Sequence, residues 1–229
     1  MRPMTLRAVC FDYGGTLDGP ASHWLDRFLA LYATAGLRLS FERFRPAFDY
    51  ATQRGYIDPT VAAMDLQQLV EFHVARQLEH LGIDDAALAM RVVTAFVDGS
   101  RAALADSRAL LERLHGRVAL GVISNFYGNV QRILDDVGMT RWLATIVDSG
   151  RVGVSKPDPR IFALAVAQLR CTPADVLYVG DSFSKDVVGA HAAGLRTAWL
   201  AGNRERPCPA PELMDVRLRS LDELDALIA

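Results

Sequence analysis

Asp12, Ser124, Lys156 and Asp181 lie far apart in a chain of 229 residues, yet three of them follow or close an expected strand and Lys156 stands in a loop before a helix. Asp12 closes the apolar run Leu6 to Phe11. Ser124 and Asn125 close the run Val118 to Ile123. Asp181 follows Gly180 at the end of Val176 to Val179, and Lys156 stands in Ser155-Lys156-Pro157-Asp158, just before a helix. In an open parallel sheet, ligands bind in the crevice at the carboxyl ends of the strands. One sheet edge then gathers a carboxylate, a hydroxyl, an ammonium and a second carboxylate. Any one of them alone reads as a strand-end turn residue; together in one crevice they read as a reactive site.

The elements that must position these groups follow from periodicity. From Ser22 to Ser100 apolar residues recur at helical spacing and no strand is expected. Trp24, Phe28 and Leu31 form one face, stopped at Gly36. Phe41, Phe44 and Phe48 form another, capped by Ser40. A longer helix is expected after Asp58-Pro59, running to Gly82, and a further one from Asp84 or Asp85, ending before Gly99. The rest of the chain alternates. Helices are expected at Asp106 to His115, Asn129 to Val137, Pro159 to Leu169, Lys185 to Ala193 and Leu221 to Ile228. Between them stand strands at Val118 to Ile123, Thr145 to Val147, Val176 to Val179 and Thr197 to Leu200; Asn203 to Pro211 is a loop. This alternation predicts an α/β fold, a doubly wound parallel sheet covered on both faces. The core should comprise residues 1–18 and 101–229, interrupted by a small all-helical domain over 19–100.

Composition narrows the partners. Acids number 27 and bases 25, for a net charge of -2. That balance gives no reason to expect nucleic acid or a membrane surface as partner. No apolar stretch approaches the ~18 residues of a membrane span. The first apolar run is short and ends at Asp12, unlike a signal peptide. Cys10, Cys171 and Cys208 are too few and too scattered for a disulfide framework or a zinc site, which suits a reducing compartment. These features predict a cytoplasmic protein and leave monomer and homodimer both open. Strand alternation makes Cys10 a packed core residue. Lys156 and Lys185 are the two lysines; every other base is arginine, a bias read as genomic base composition.

Four segments carry a family resemblance. Phe11-Asp12-Tyr13-Gly14-Gly15-Thr16-Leu17-Asp18 resembles the first motif of the haloacid dehalogenase superfamily. Val122-Ile123-Ser124-Asn125 resembles the second, Lys156-Pro157-Asp158-Pro159-Arg160-Ile161-Phe162 the third, and Gly180-Asp181 through Asp186 the fourth. Order and spacing fit over essentially the whole chain, and the helical insert falls where this family carries a helical cap on a Rossmann-like core. The resemblance implies that Asp12 is a nucleophile forming an aspartyl intermediate, which splits one hard displacement into two easier ones. It implies that Ser124 binds the transferring group and that Lys156 offsets charge. Thr16 would steady the loop or touch phosphate, Gly15 would form the turn, and Asn125 would donate its backbone amide to phosphate. Asp12, Asp181 and the Gly14 carbonyl would hold Mg²⁺, which prefers hard oxygen ligands. Asp186 would orient Lys156 or a metal-bound water. The implied activity is a Mg²⁺-dependent phosphatase of a small phosphorylated metabolite.

One departure matters. Phosphatases of this family usually carry a second Asp two residues after the nucleophile, as general acid and base. Here that position is Gly14. Losing such a group costs about 10²- to 10⁴-fold, roughly 3 to 5 kcal/mol of barrier. His23, Asp18 and Asp49 are the candidate substitutes. Two alternatives need no proton at that position. One is a 2-haloacid dehalogenase-like hydrolase, although that branch needs no metal and lacks the Gly180-Asp181 start. The other is a catalytically degenerate phosphate-binding protein. Phosphonate cleavage through a Schiff base is excluded, because Ser22 to Ser100 contains no lysine and guanidinium supplies no nucleophilic amine. Substrate choice is expected to fall to His23, Trp24, Arg45, Tyr50 and Arg54.

Overall fold

The computed structural model describes residues 6–19, 21–203 and 207–228. β1 (Ala8–Phe11) is buried along its whole length. It pairs in parallel with β2 (Ala119–Ser124) on one side and β4 (Val176–Gly180) on the other. β3 (Leu143–Asp148), β5 (Arg196–Leu200) and β6 (Val216–Leu218) complete a six-stranded sheet in the order β3-β2-β1-β4-β5-β6. The chain fills one side of β1, then crosses to the other, so the crevice at the carboxyl ends opens beside β1. Asp12, Ser124 and Asp181 leave three adjacent strands there. β6 escapes the sequence reading because three residues carry no usable periodicity.

The strands read as continuous apolar runs because both faces of the sheet are covered. Val9 and Phe11 pack into the core shared with the helices that follow β1. Ala8, Cys10 and Tyr178 pack on the opposite face against Ile161 and Phe162 of α7 (Pro159–Leu169). Burial pushes the Cys10 thiol up to about 12, so it is an inert core residue.

Between β1 and β2 the described residues form α1 (Trp24–Thr34), α2 (Phe41–Ile57), α3 (Leu66–Leu81) and α4 (Ala86–Leu114), with no strand. Ser40 caps α2 by accepting from the Arg43 amide, at 3.3 Å. Two expectations are corrected. The helix expected from Pro59 starts instead at Leu66, after a single tight turn at Val61–Ala63. The reciprocal Asp65–Gln68 capping box fixes that start. The helix expected to end before Gly99 does not end: α4 runs unbroken for 29 residues, through the 100/101 boundary. An interior glycine costs about 1 kcal/mol. The buried stripe Val92, Phe96, Ser100, Leu104, Ser107, Leu111 and Leu114 outweighs it.

The remaining helices are α5 (Val130–Asp136), α6 (Ser149–Val152), α8 (Val188–Ala192) and α9 (Leu224–Leu227). α8 is shorter than expected, because Phe183–Val187 forms a wide turn before it. Residues 204–206 of the expected surface loop lie outside the described residues. Among the described residues no helix is long and apolar enough to cross a membrane.

His73 of α3 is fully buried, stacked on Phe28 with centroids 6.0 Å apart. Burial lowers its pKa from 6.5 to about 3. The folded ring therefore resists a proton that the unfolded ring accepts. The contribution of His73 to stability is expected to be full above pH 6.5 and to be lost as pH falls towards 3, by about 1.4 kcal/mol per pH unit. Urea unfolding at several pH values checks this; His73→Leu should remove that part of the slope.

Candidate active site

Asp12 follows β1 directly, and its amide still donates to Val179 O at 2.9 Å. The sheet thus fixes its backbone while its side chain enters the crevice. Ser124, the last residue of β2, donates to Asp12 Oδ1 at 2.8 Å. Lys156 Nζ pairs with the same oxygen at 2.8 Å and with Asp186 Oδ1 at 2.7 Å. It also donates to the Tyr178 hydroxyl at 2.8 Å. Burial works against the ammonium charge, but Asp12 and Asp186 outweigh it and hold Lys156 above its ordinary value.

The Lys156 backbone is held by Asn125. Its Nδ2 donates to Lys156 O at 2.9 Å and its Oδ1 accepts from the Lys156 amide at 2.7 Å. Asn125 lines the crevice, and its side chain splints the loop that carries Lys156. Asp186 is fixed in turn: its Oδ2 accepts from the Ser182 amide at 2.8 Å, and its own amide donates to Ser182 O. This turn explains the spacing between Asp181 and Asp186. Gly180 is required there, since a Cβ would lie 2.3 Å from Asp186 Cγ.

A profile of the haloacid dehalogenase-like hydrolases matches residues 6–194. The chain belongs to this family. The phosphoserine phosphatase of Thermus thermophilus is 36% identical over 126 residues, 53% of this chain and 51% of that protein. The chain thus spans about half the length of that relative. The N-acetylmuramic acid 6-phosphate phosphatase of Pseudomonas putida is 31% identical over 199 residues, 85% of this chain and 82% of that protein. A dehalogenase of known structure shares the fold, with a TM-score of 0.65 at 23% identity over 98% of this chain and 97% of that one.

In this haloacid dehalogenase-like hydrolase the carboxylates of Asp12, Asp181 and Asp186 each bring one oxygen within 4.8 Å of the others. Burial, then Asp186 and Asp12, push Asp181 well above the ordinary carboxylate range. Its Oδ1 is buried and has no hydrogen-bond partner among the described residues. A buried acceptor without a donor is costly, and an all-oxygen, anionic set suits a hard dication such as Mg²⁺. The residues therefore fit the Mg²⁺ that the resemblance to the family's phosphatases implies. Gly15 shapes this corner. Its φ is +88°, and a Cβ there would stand 2.8 Å from Asp181 Oδ2.

The crevice has a volume of about 460 Å³. Asp12, Gly14, Ser124, Asn125, Lys156, Asp181 and Asp186 line its sheet side, while His23, Trp24, Arg45 and Asp49 line the helical side. Four expectations are corrected. Thr16 is buried with its hydroxyl unpartnered, and it lines a separate cavity of about 240 Å³ beside Ser107 of α4. The left-handed step at Gly15 turns it away from the crevice. Asp18 is fully buried and engaged by the Gly15 amide at 2.7 Å, Trp24 Nε1 at 2.7 Å and Arg27 at 3.2 Å. It is a structural anchor for the loop. Tyr50 and Arg54 do not line the crevice; the Tyr50 hydroxyl donates to Glu79 at 3.2 Å. Lys185, read as a helix-start residue, does line it.

Sequence reasoning missed Tyr178. Its hydroxyl accepts from Lys156 and donates to Ile123 O at 2.8 Å. The signal was a polar handle inside the apolar strand Val-Leu-Tyr-Val-Gly. Tyr178→Phe is expected to cost about 1 to 2 kcal/mol of stability, by leaving two buried groups short of a partner. Urea unfolding checks it.

Proposed function

We infer that this hydrolase removes phosphate from a small phosphorylated metabolite, with Asp12 as nucleophile. One observation carries the reading: Ser124 and Lys156 converge on Asp12 Oδ1, beside a buried, unpartnered Asp181 oxygen. The phosphatases among its relatives support it.

Asp12, Asp181 and the Gly14 carbonyl would hold Mg²⁺, which would neutralise the carboxylates and the phosphoryl oxygens during attack. Lys156 holds the Asp12 carboxylate aimed, while Asp186 and Tyr178 hold Lys156. Ser124 is placed to move its hydroxyl from Asp12 to a phosphoryl oxygen. The helical unit 19–100, running into α4, acts as a cap over the core formed by 1–18 and 101–229. Asn125 shapes the phosphate-binding floor, while Gly15 forms the turn that leaves room for Asp181. The free thiols of Cys10, Cys171 and Cys208 suit a cytoplasmic setting.

The test is phosphate release from a broad panel of phosphomonoesters, with Mg²⁺ and with chelator. Release that needs Mg²⁺ is the expected result; silence across the whole panel sinks the reading. Gly14 favours a second reading, dehalogenation, since halide leaves without a proton. Halide release from 2-haloacids in the presence of chelator would establish that instead.

A further inference from the structure

Gly14 has φ -72° and ψ 110°, a backbone any residue adopts. A Cβ there would meet only the edge of the Trp24 indole, at 3.6 and 3.7 Å. Neither backbone strain nor crowding at the first carbon calls for glycine. Several of the titratable groups around the crevice already have other roles.

His23 Nδ1 accepts from the Leu25 amide at 3.2 Å, which caps α1. That bond leaves the ring proton on Nε2, and charging the ring would break the cap. Asp49 is half exposed and pairs with Arg45 at 3.6 Å. Asp26 stands in the first turn of α1, where the helix dipole favours negative charge. The Tyr127 hydroxyl is held by His73 Nε2 at 2.9 Å.

The same crevice is lined with rings. α2 contributes Phe41, Phe48 and Tyr56. Phe41 is 43% exposed and Tyr56 50% exposed, and exposed rings on a pocket wall offer area for a ligand to cover.

We propose that this hydrolase acts on aryl phosphomonoesters, whose phenolic oxygen leaves as a stable anion without a proton donor. The proposal rests on the phosphatase reading above. An Asp12 oxygen bonds to phosphorus as the bond to the phenolic oxygen breaks. The phenolate departs with the electron pair and takes its proton from solvent. Water then attacks phosphorus, the bond to Asp12 breaks, one proton of the water stays on the phosphate and the other passes to solvent, replacing the one the phenolate took. The ring of the leaving group lies against Phe41 and Phe48 on α2.

The experiment compares kcat/KM of the Mg²⁺-supplied enzyme for phenyl, benzyl and acetyl phosphate. Phenyl and benzyl phosphate share a ring and differ in the leaving oxygen. Phenyl phosphate is expected to be favoured by about 10²-fold or more. Gly14→Asp should narrow that ratio. A ratio near one in the unaltered enzyme overturns the proposal, because some group is then supplying a proton. Acetyl phosphate leaves easily but has no ring. It is expected to fall about tenfold or more below phenyl phosphate, and Phe41→Ala should shrink that gap by raising KM for phenyl phosphate alone. Equal rates for the two would overturn the aryl assignment. If none of the three releases phosphate, the phosphatase reading itself fails.

Discussion

Asp12→Asn is expected to lower the rate of phosphate release by about 10⁴-fold or more while the fold persists. The amide is isosteric with the carboxylate but is no nucleophile at phosphorus. It still accepts the Ser124 hydroxyl, now 2.8 Å from Asp12 Oδ1. Lys156 keeps Asp186 at 2.7 Å and Tyr178 at 2.8 Å, so the ammonium is not stranded. The backbone bond from residue 12 to Val179 O is untouched. Unfolding by urea should therefore change little, and the loss should appear in kcat. Turnover retained within tenfold would show that another group attacks phosphorus.

Lys156→Met should be the most destabilising of the site variants. Lys156 and Asp186 are both fully buried, with side-chain exposures of 2% and 1%. Removing the ammonium leaves the carboxylates of Asp12 and Asp186 facing each other without a counter-charge. Breaking a buried ion pair by removing one partner costs about 3 to 5 kcal/mol. Lys156→Arg should not rescue, because a planar fork cannot replace a compact ammonium that reaches Asp12, Asp186 and Tyr178 from one atom. Urea unfolding of each variant measures this. An unfolding free energy within about 1 kcal/mol of the parent would show that the cluster carries little of the stability.

The strands and the strand-end residues were legible for one reason. Buried parallel strands are continuous apolar runs, and the polar residue that ends each run marks the crevice. Asp12, Ser124, Asn125 and Asp181 surfaced that way, Lys156 came from a loop before a helix and Asp186 from the family resemblance, and all six meet in the structure. What stayed hidden depends on tertiary contacts. Gly99 reads as a stop, but the buried stripe on α4 carries the helix through it. Asp18 reads as a spare acid until the Gly15 amide, Trp24 and Arg27 are seen around it. Phe41, Phe44 and Phe48 read as one core face, whereas Phe44 is fully buried and Phe41 opens into the crevice. Helical spacing gives the face, not which end of it meets the partner domain.

The phosphoryl group itself gives the most direct test. The enzyme is mixed with Mg²⁺ and a turned-over phosphomonoester, quenched in acid during the first turnover, and mapped by peptide mass spectrometry. The peptide containing Asp12 is expected to gain one phosphoryl group, located on Asp12, and Asp12→Asn should gain none. Phosphate release with no phosphoryl group on Asp12, or with the group on another residue, would contradict the assignment of Asp12 as nucleophile.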